Sequence, residues 1–162
     1  MFDLDASIHP DIAPLAWLLG RWEGAGVVGY PTMESRNFGQ EIVVEHDGRP
    51  FLRWNSRSWL LNEDGTIERQ AATESGFWRM AGDEAELLLA HPTGILELYY
   101  GPVEPARITL QTDGVLRSSR AKEYNAATRL YGLVNSNLMW VMDMAAVGTP
   151  MTSHVSAELK RV

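Results

Sequence analysis

Turn signals recur at short intervals along this chain and restrict its fold more than any other feature. They are HDG at 46–48, NEDG at 62–65, AGDE at 81–84, TDG at 112–114 and NSN at 135–137. Between them lie short segments rich in β-branched and aromatic residues, such as QEIVVEH, FLRWNSRSWLL, GILELYY and LMWVMDM. Most of these segments alternate apolar and polar residues, which is typical of strands with two unlike faces. The sequence therefore predicts a series of antiparallel hairpins.

The predicted strands have almost no helix to cover them, so their sheet must close into a barrel or pack as a sandwich. Only HPDIAPLAWLLG indicates a short helical turn, limited by Pro10 and Pro14 and ended by Gly20. The 162 residues suffice for one core and show no linker, repeat or charge block. We predict a single all-β domain over residues 1–162. We expect a closed antiparallel β-barrel like that of lipocalins and fatty-acid-binding proteins, with a short N-terminal helical turn.

Composition excludes several classes of protein. The chain has no cysteine, which rules out disulfides and cysteine nucleophiles and favours a reducing cytoplasm. Its net charge of −7 opposes binding to phosphate backbones, so we expect no nucleic-acid partner. No apolar run approaches the roughly 18 residues that span a bilayer, and the first residues, MFDLDASIHP, are acidic, unlike a signal peptide. We therefore expect a soluble cytoplasmic protein without a membrane partner.

Common hydrolytic and zinc motifs are missing from the sequence. It contains no G-x-S-x-G and no H-E-x-x-H. The histidines are His9, His46, His91 and His154, and no two have a spacing that would put two metal ligands on one element. A hydrolase and a zinc site held by protein ligands alone are therefore disfavoured.

A glycine motif follows the predicted helical turn. The segment GRWEGAGVVGYPT places Gly20, Trp22, Gly24 and Gly26 in the spacing G-x-W-x-G-x-G. Glycines at alternate positions remove side chains from one face of a strand, so a neighbouring backbone or a flat ligand can approach closely. A kink at a barrel corner would use the same residues. Both interpretations stay open from the sequence.

Two arginines, Arg53 and Arg57, share one face of the segment FLRWNSRSWLL. They can pair with Glu41 or Glu45 of the neighbouring strand, or they can reach an anionic ligand. Cross-strand pairing is the simpler prediction.

Three stretches of the chain, in order, resemble one known family. LLGRWEGAGVVGYPT, HPTGILE and GTPMTSHVSAEL are similar to segments of the nitrobindin family, compact β-barrels that bind haem b and are described as peroxynitrite isomerases. EHDGRPFL, ESGFWR and AKEYNAATRLYG, which lie between them, are similar as well. The resemblance implies one haem b per chain, with peroxynitrite and nitric oxide as small-molecule ligands. It also implies isomerisation of peroxynitrite to nitrate at ferric haem, with no catalytic group beyond the haem iron.

The resemblance further implies which residues form the site. The histidine of the terminal H-x-x-x-x-L stretch, here His154, is expected to be the axial ligand of the haem iron. The threonine of YPT, Thr32, is expected at the haem edge, and the lysine of AKE, Lys122, near the haem propionates. His91, in HPTG, is expected to face the distal side or the pocket wall rather than to bind the iron.

His154 conflicts with the simplest strand pattern. In an unbroken strand over residues 152–160, Thr152, His154 and Ser156 share one face, while Val155 lies on the other. On that pattern His154 would point to solvent. It can serve as a ligand if haem supplies the apolar surface near a barrel mouth, or if a β-bulge re-aims the side chain.

Two other functions stay open from the sequence. A barrel of this size can carry a fatty acid or another apolar small molecule, and such a carrier needs no histidine at position 154. Alternatively, the domain is an interaction module that uses a sheet edge or an exposed aromatic patch, for example to form a homodimer.

Overall fold

A computed structural model of the chain describes residues 7–162. The prediction that the N-terminus is not a signal peptide uses the acidic residues 1–6, which lie outside the described residues. The described part contains a 3-10 helix, Pro10–Leu18, which falls short of the length and apolarity needed to span a bilayer. The strands are β1 (Gly20–Tyr30), β2 (Met33–Glu45), β3 (Leu52–Leu61), β4 (Ile67–Ala81), β5 (Glu84–His91), β6 (Ile95–Glu104), β7 (Arg107–Arg117), β8 (Tyr124–Val134), β9 (Asn137–Ala146) and β10 (Thr149–Arg161).

The ten strands form a closed antiparallel barrel, which confirms the predicted fold. Each strand pairs with its neighbours along the chain, and β1 pairs with β10 to close the ring. β3 shows why the sequence favours this arrangement, because burial alternates strictly from Leu52 to Ser58. Within residues 7–162 every strand is paired on both sides, so the barrel offers no free sheet edge to a partner.

The 3-10 helix closes one end of the barrel. Its residues Ile12, Leu15 and Leu18 are fully buried in the core. The indole Nε1 of Trp22 donates to the Leu18 carbonyl at 2.9 Å, and the guanidinium of Arg161 lies 4.1 Å from the centroid of the Trp22 ring. The opposite end carries the β1–β2, β3–β4, β5–β6, β7–β8 and β9–β10 connections, and we call it the open end.

The outer face of the barrel carries the cross-strand ion pairs that the sequence predicts. β2 and β3 pair with Glu41 opposite Arg57 and Glu45 opposite Arg53. Arg57 Nε donates to Glu41 Oε1 at 2.9 Å, and Arg53 Nη2 lies 3.5 Å from Glu45 Oε2. The prediction of cross-strand pairing is confirmed.

The glycine motif lies where β1 meets β10. A Cβ atom at Gly24 would lie 2.1 Å from the Glu158 carbonyl oxygen, and one at Gly26 would lie 2.2 Å from that of Ser156. Both glycines therefore admit the backbone of a neighbouring strand. Of the two open interpretations, the structure shows the close approach of a neighbouring backbone.

The prediction of a turn at TDG, 112–114, is wrong. β7 runs without interruption through these residues. Thr112 and Gly114 pair with adjacent residues of β6, which leaves Asp113 as the extra residue of a β-bulge. Asp and Gly favour turns and bulges alike, so the local sequence does not separate the two.

Candidate functional site

A cleft enters the barrel from the open end. It has a smaller lobe of about 130 Å³ and a larger lobe of about 260 Å³. The lobes share six lining residues, namely Ala71, Ala72, Glu74, Trp140, His154 and Val155. Phe38 and Leu60 add apolar surface to the smaller lobe, and Met142 and Met144 add it to the larger one. The cleft is thus mainly apolar, with a histidine where its two lobes meet.

His154 reaches the cleft because β10 carries a β-bulge. Ser153 pairs with Asp143, and Val155 pairs with the next residue of β9, Met142, so His154 is the extra residue. The bulge lets His154 and Val155, neighbours in sequence, both line the cleft. The unbroken strand pattern, which would point His154 to solvent, is therefore wrong for this segment, and the bulged alternative is the one observed.

Hydrogen bonding fixes the orientation of the His154 ring. Its Nδ1 lies 2.8 Å from the carbonyl oxygen of Gly29, which can only accept, so Nδ1 carries the hydrogen and donates. The ring packs edge-on against Tyr30 at 5.6 Å between centroids. Burial lowers the pKa of His154, so the neutral imidazole is favoured. Nε2 then keeps a free lone pair, which is the form of histidine that binds a metal.

The residues of the cleft fit a haem group. Ala71 and Ala72 line both lobes yet are exposed to solvent, so a ligand in the cleft would cover them. The Ser58 hydroxyl secures this part of β4, because it accepts from the Ala72 amide at 3.1 Å. Apolar walls suit a porphyrin, and the Nε2 atom of His154 suits its iron. The open end leaves room for the charged edge of such a group to remain in water.

A buried ion pair forms part of the wall of the larger lobe. Arg129 donates two hydrogen bonds to Glu74, at 2.8 and 2.9 Å, and a third to the hydroxyl of Tyr131 at 3.0 Å. The Trp54 indole also donates to Glu74, at 3.1 Å. Burial opposes ionisation of Glu74, but the charge and hydrogen bonds of Arg129 hold its pKa below the usual value. The guanidinium is therefore already neutralised by a protein carboxylate.

Glu97 forms the second half of this buried network. Its side chain is 1% exposed and lies 2.5 Å from His91 Nε2. The hydroxyl of Tyr124 donates to Glu97 at 2.5 Å, and that of Tyr99 donates to the same oxygen. Burial raises the pKa of Glu97, but hydrogen bonds and the charge of Arg129 outweigh this effect and lower it to about 2. Glu97 is thus a carboxylate with three donors directed at it.

The structure brings only part of the predicted site together. His91 lines the larger lobe, together with His154. Thr32 is exposed in the β1–β2 turn and Lys122 is exposed just before β8; both lie at the open end, but neither is among the described residues that line the lobes. The four residues of the glycine motif do not line them either. The roles of Thr32 and Lys122 stay predictions.

The network of Glu74, Glu97 and Arg129 is not among the site residues predicted from the sequence. One signal was available, because Glu97 and Tyr99 alternate with the apolar Leu96 and Leu98 in GILELYY. The structure buries the former pair and leaves Leu96 half-exposed. A charged residue at an inward position of a barrel strand needs a buried partner.

Comparison with known proteins places the chain among related barrels. The model of a family described as "THAP4-like, heme-binding beta-barrel domain" matches residues 11–161. A peroxynitrite isomerase of Nocardioides sp. is 46% identical over 161 residues, covering 99% of this chain and 98% of that protein. A ferric nitrobindin-like protein of Streptomyces griseus is 41% identical, covering 100% of this chain and 87% of that protein. The crystal structure of Rv2717c from M. tuberculosis superposes with a TM-score of 0.86 at 32% identity, covering 96% of this chain and 99% of that one.

Proposed function

Because this chain belongs to the THAP4-like haem-binding β-barrel family, we propose that it binds one haem b per chain through His154 and isomerises peroxynitrite to nitrate. Peroxynitrite isomerase is the name of several of its relatives, at 36–46% identity. Nitric oxide is the second small molecule that we expect the haem to bind. The reaction needs no external electron donor, since peroxynitrite and nitrate contain the same atoms and the same charge.

The observation that carries this proposal is the state of His154. Its Nδ1 donates to the Gly29 carbonyl, so the free lone pair is on Nε2 of a ring that lines the cleft. A histidine that served only packing would not need a bulge to reach an apolar cavity. An oriented, neutral imidazole in an apolar cleft is the arrangement that axial ligation of haem requires.

The protein's own residues contribute ligation, orientation and enclosure. Bound haem supplies the iron at which peroxynitrite rearranges. His154 would hold that iron on one side, and the Gly29 carbonyl keeps the ring from rotating. Apolar walls exclude water from the face that they cover. We propose that Thr32 and Lys122, exposed at the open end, contact the edge and the propionates of the haem.

The alternative function, a fatty-acid carrier, has less support. A barrel that binds a fatty acid inside needs a cation for its carboxylate. Arg129 is 2% exposed and already forms a two-bonded ion pair with Glu74, and Glu97 lies 3.7 Å away on the other side. The carboxylate of a fatty acid would be the third at this site, and it would meet two negative charges and one positive charge. A carrier of an uncharged apolar molecule stays as the runner-up.

Titration with hemin tests the proposal. The wild-type protein, His154→Ala and the control His46→Ala are titrated and followed by visible absorption, with circular dichroism to check folding. His46 is a suitable control because it follows β2 and, among the described residues, only accepts one hydrogen bond, from the Gly48 amide. We expect a saturable one-to-one Soret band for the wild type and the control, and its loss in a folded His154→Ala variant.

Two results would contradict the haem assignment. One is unchanged iron ligation in His154→Ala, and the other is the broad spectrum of free hemin with all three proteins. The second result would favour the apolar carrier. If the band forms as expected, decay of peroxynitrite and the yield of nitrate test the isomerase activity directly.

The proposal also covers the binding partners and the cellular location of the protein. We propose that the ligands are small molecules and that nucleic acid is not bound, given the net charge of −7. A cytoplasmic location fits the absence of cysteine. A homodimer stays a prediction, which light scattering of the haem-loaded protein would test.

A further inference from the structure

The larger lobe of the cleft contains a second histidine whose role the proposed function does not use. His91 ends β5, and its side chain is 18% exposed. Its Nε2 lies 2.5 Å from Glu97 Oε1. The ring therefore has one nitrogen held by a buried carboxylate while its surface faces the cavity.

The contacts of Glu97 determine which nitrogen of His91 carries the hydrogen. The hydroxyl groups of Tyr99 and Tyr124 both donate to Glu97 Oε2, and Arg129 Nη2 lies 3.7 Å from Oε1. These donors stabilise the ionised carboxylate, which can only accept. The hydrogen of the short contact therefore belongs to His91 Nε2.

The other nitrogen of the His91 ring, Nδ1, is available to a ligand in the larger lobe. Within residues 7–162 it forms no hydrogen bond, and Glu74 Oε2 is 3.9 Å away. With the hydrogen on Nε2, Nδ1 of the neutral ring has a free lone pair. A proton arriving there would be stabilised by Glu97 on β6 and Glu74 on β4, and opposed by Arg129 on β8. Burial raises the pKa of Tyr124, so its hydroxyl stays neutral.

We propose that His91, oriented by Glu97, accepts the proton of a small weak acid that binds in the larger lobe. The bond between hydrogen and the acid breaks, the proton moves to Nδ1, and the electron pair stays on the conjugate base, which would then be the form that binds the iron of a haem held by His154. Glu97 acts as the positioning residue, in the way a carboxylate orients the base of a catalytic triad. This inference rests on the proposed function, because the acid of interest is the protonated ligand of the haem site.

The first test needs no haem. Nitrogen-15 chemical shifts of the histidine rings in the apoprotein, assigned with His91→Gln, report which nitrogen of His91 is protonated. We expect Nε2–H with a bare Nδ1 in the wild type, and loss of this preference in Glu97→Gln, whose amide can donate as well as accept. Hydrogen on Nδ1 and a bare Nε2 in the wild type would overturn the proposal.

The second test compares two ligands of the hemin-loaded protein. Hydrogen cyanide must lose its proton to bind ferric iron, whereas carbon monoxide binds the reduced protein without any proton. His91→Gln keeps a donor for Glu97 but removes the basic nitrogen, and His46→Gln is the matched control. We expect the association rate of cyanide to fall about 100-fold in His91→Gln, with the carbon monoxide rate changed less than about twofold.

The outcomes separate the two proposals. Equal effects on both ligands, or an unchanged cyanide rate, would overturn the role of His91 while leaving the haem site intact. Failure of the wild type to bind hemin would instead overturn the proposed function. If His91→Gln does not fold, the His91 signals are assigned by elimination with His9→Gln, His46→Gln and His154→Ala. The nitrogen-15 result on the wild type then still decides between the two tautomers.

Discussion

Replacing Gly24 with alanine tests how tightly the barrel closes between β1 and β10. The new Cβ would lie 2.1 Å from the Glu158 carbonyl oxygen and 2.7 Å from the Leu159 Cα, whereas real Cβ contacts essentially never fall below 3.0 Å. Both atoms belong to the backbone, so the strands themselves must separate. Overpacking costs about 1–3 kcal/mol, and we expect the upper limit, about 3 kcal/mol, because no side chain can move aside.

Thermal unfolding of the apoprotein measures this effect. For a domain of this size a loss of about 3 kcal/mol lowers Tm by about 6–12 °C. Gly114→Ala on β7 is the matched control, because a Cβ there meets nothing within 4 Å. Its free energy of unfolding should change by no more than about 0.5 kcal/mol. Equal Tm values for Gly24→Ala and Gly114→Ala would refute the argument from close backbone approach.

Three further predictions concern the cleft and its supports. Folding lowers the pKa of Glu97 from 4.5 to about 2. Above pH 4.5 the ionised carboxylate therefore adds about 3 kcal/mol to the free energy of unfolding, and this contribution is lost as the pH falls towards 2. Urea unfolding should show a flatter pH dependence in Glu97→Gln over that range; equal slopes would contradict the assignment. Tyr30→Phe removes a hydroxyl that donates to the Met144 carbonyl at 2.9 Å and accepts from the Ala146 amide at 3.1 Å, so unfolding should become easier by about 1–3 kcal/mol. Thr32→Val should change hemin affinity by less than about tenfold, since at most one edge contact is lost; complete loss of binding would mean that Thr32 has another role.

The barrel could be predicted because its signals are local. Alternation along β3 places Leu52 and Trp54 in the core and Arg53 and Arg57 in solvent, as the period of a strand requires. The same alternation, applied to the preceding strand, predicts the pairing of Arg57 with Glu41. Each of these conclusions needs only a few adjacent residues and the geometry of a hairpin.

Bulges are harder to predict, because their positions depend on the register of a neighbouring strand. Asp113 and His154 are both extra residues opposite continuous partners. Around Asp113 the sequence favours a turn, and around His154 it favours an unbroken strand. The residues around His154 do not indicate the register of β10 against β9. The direction of the His154 side chain could therefore be predicted only as two alternatives.

The contacts of the buried network could not be predicted from the sequence, for a different reason. Glu74, Glu97 and Arg129 come from β4, β6 and β8, which are not adjacent strands. Their contacts cross the interior of the barrel instead of following a ladder. Strand alternation can place each side chain inside, but which inward residues meet depends on the diameter and tilt of the closed barrel.

The strand that closes the barrel also carries His154, the proposed axial ligand, and this has a consequence for how the protein matures. β1 and β10 come together across almost the whole described chain, and contacts of such long sequence separation are the slowest to form. Synthesis orders a chain from its N-terminus, so β10 is the last strand to become available. A nascent chain that stops before β10 lacks both the hydrogen bonds between β1 and β10 and the imidazole of His154. If His154 holds the haem iron as proposed, uptake of haem waits for the finished barrel. A Soret band that depends on His154 would then report the completion of folding.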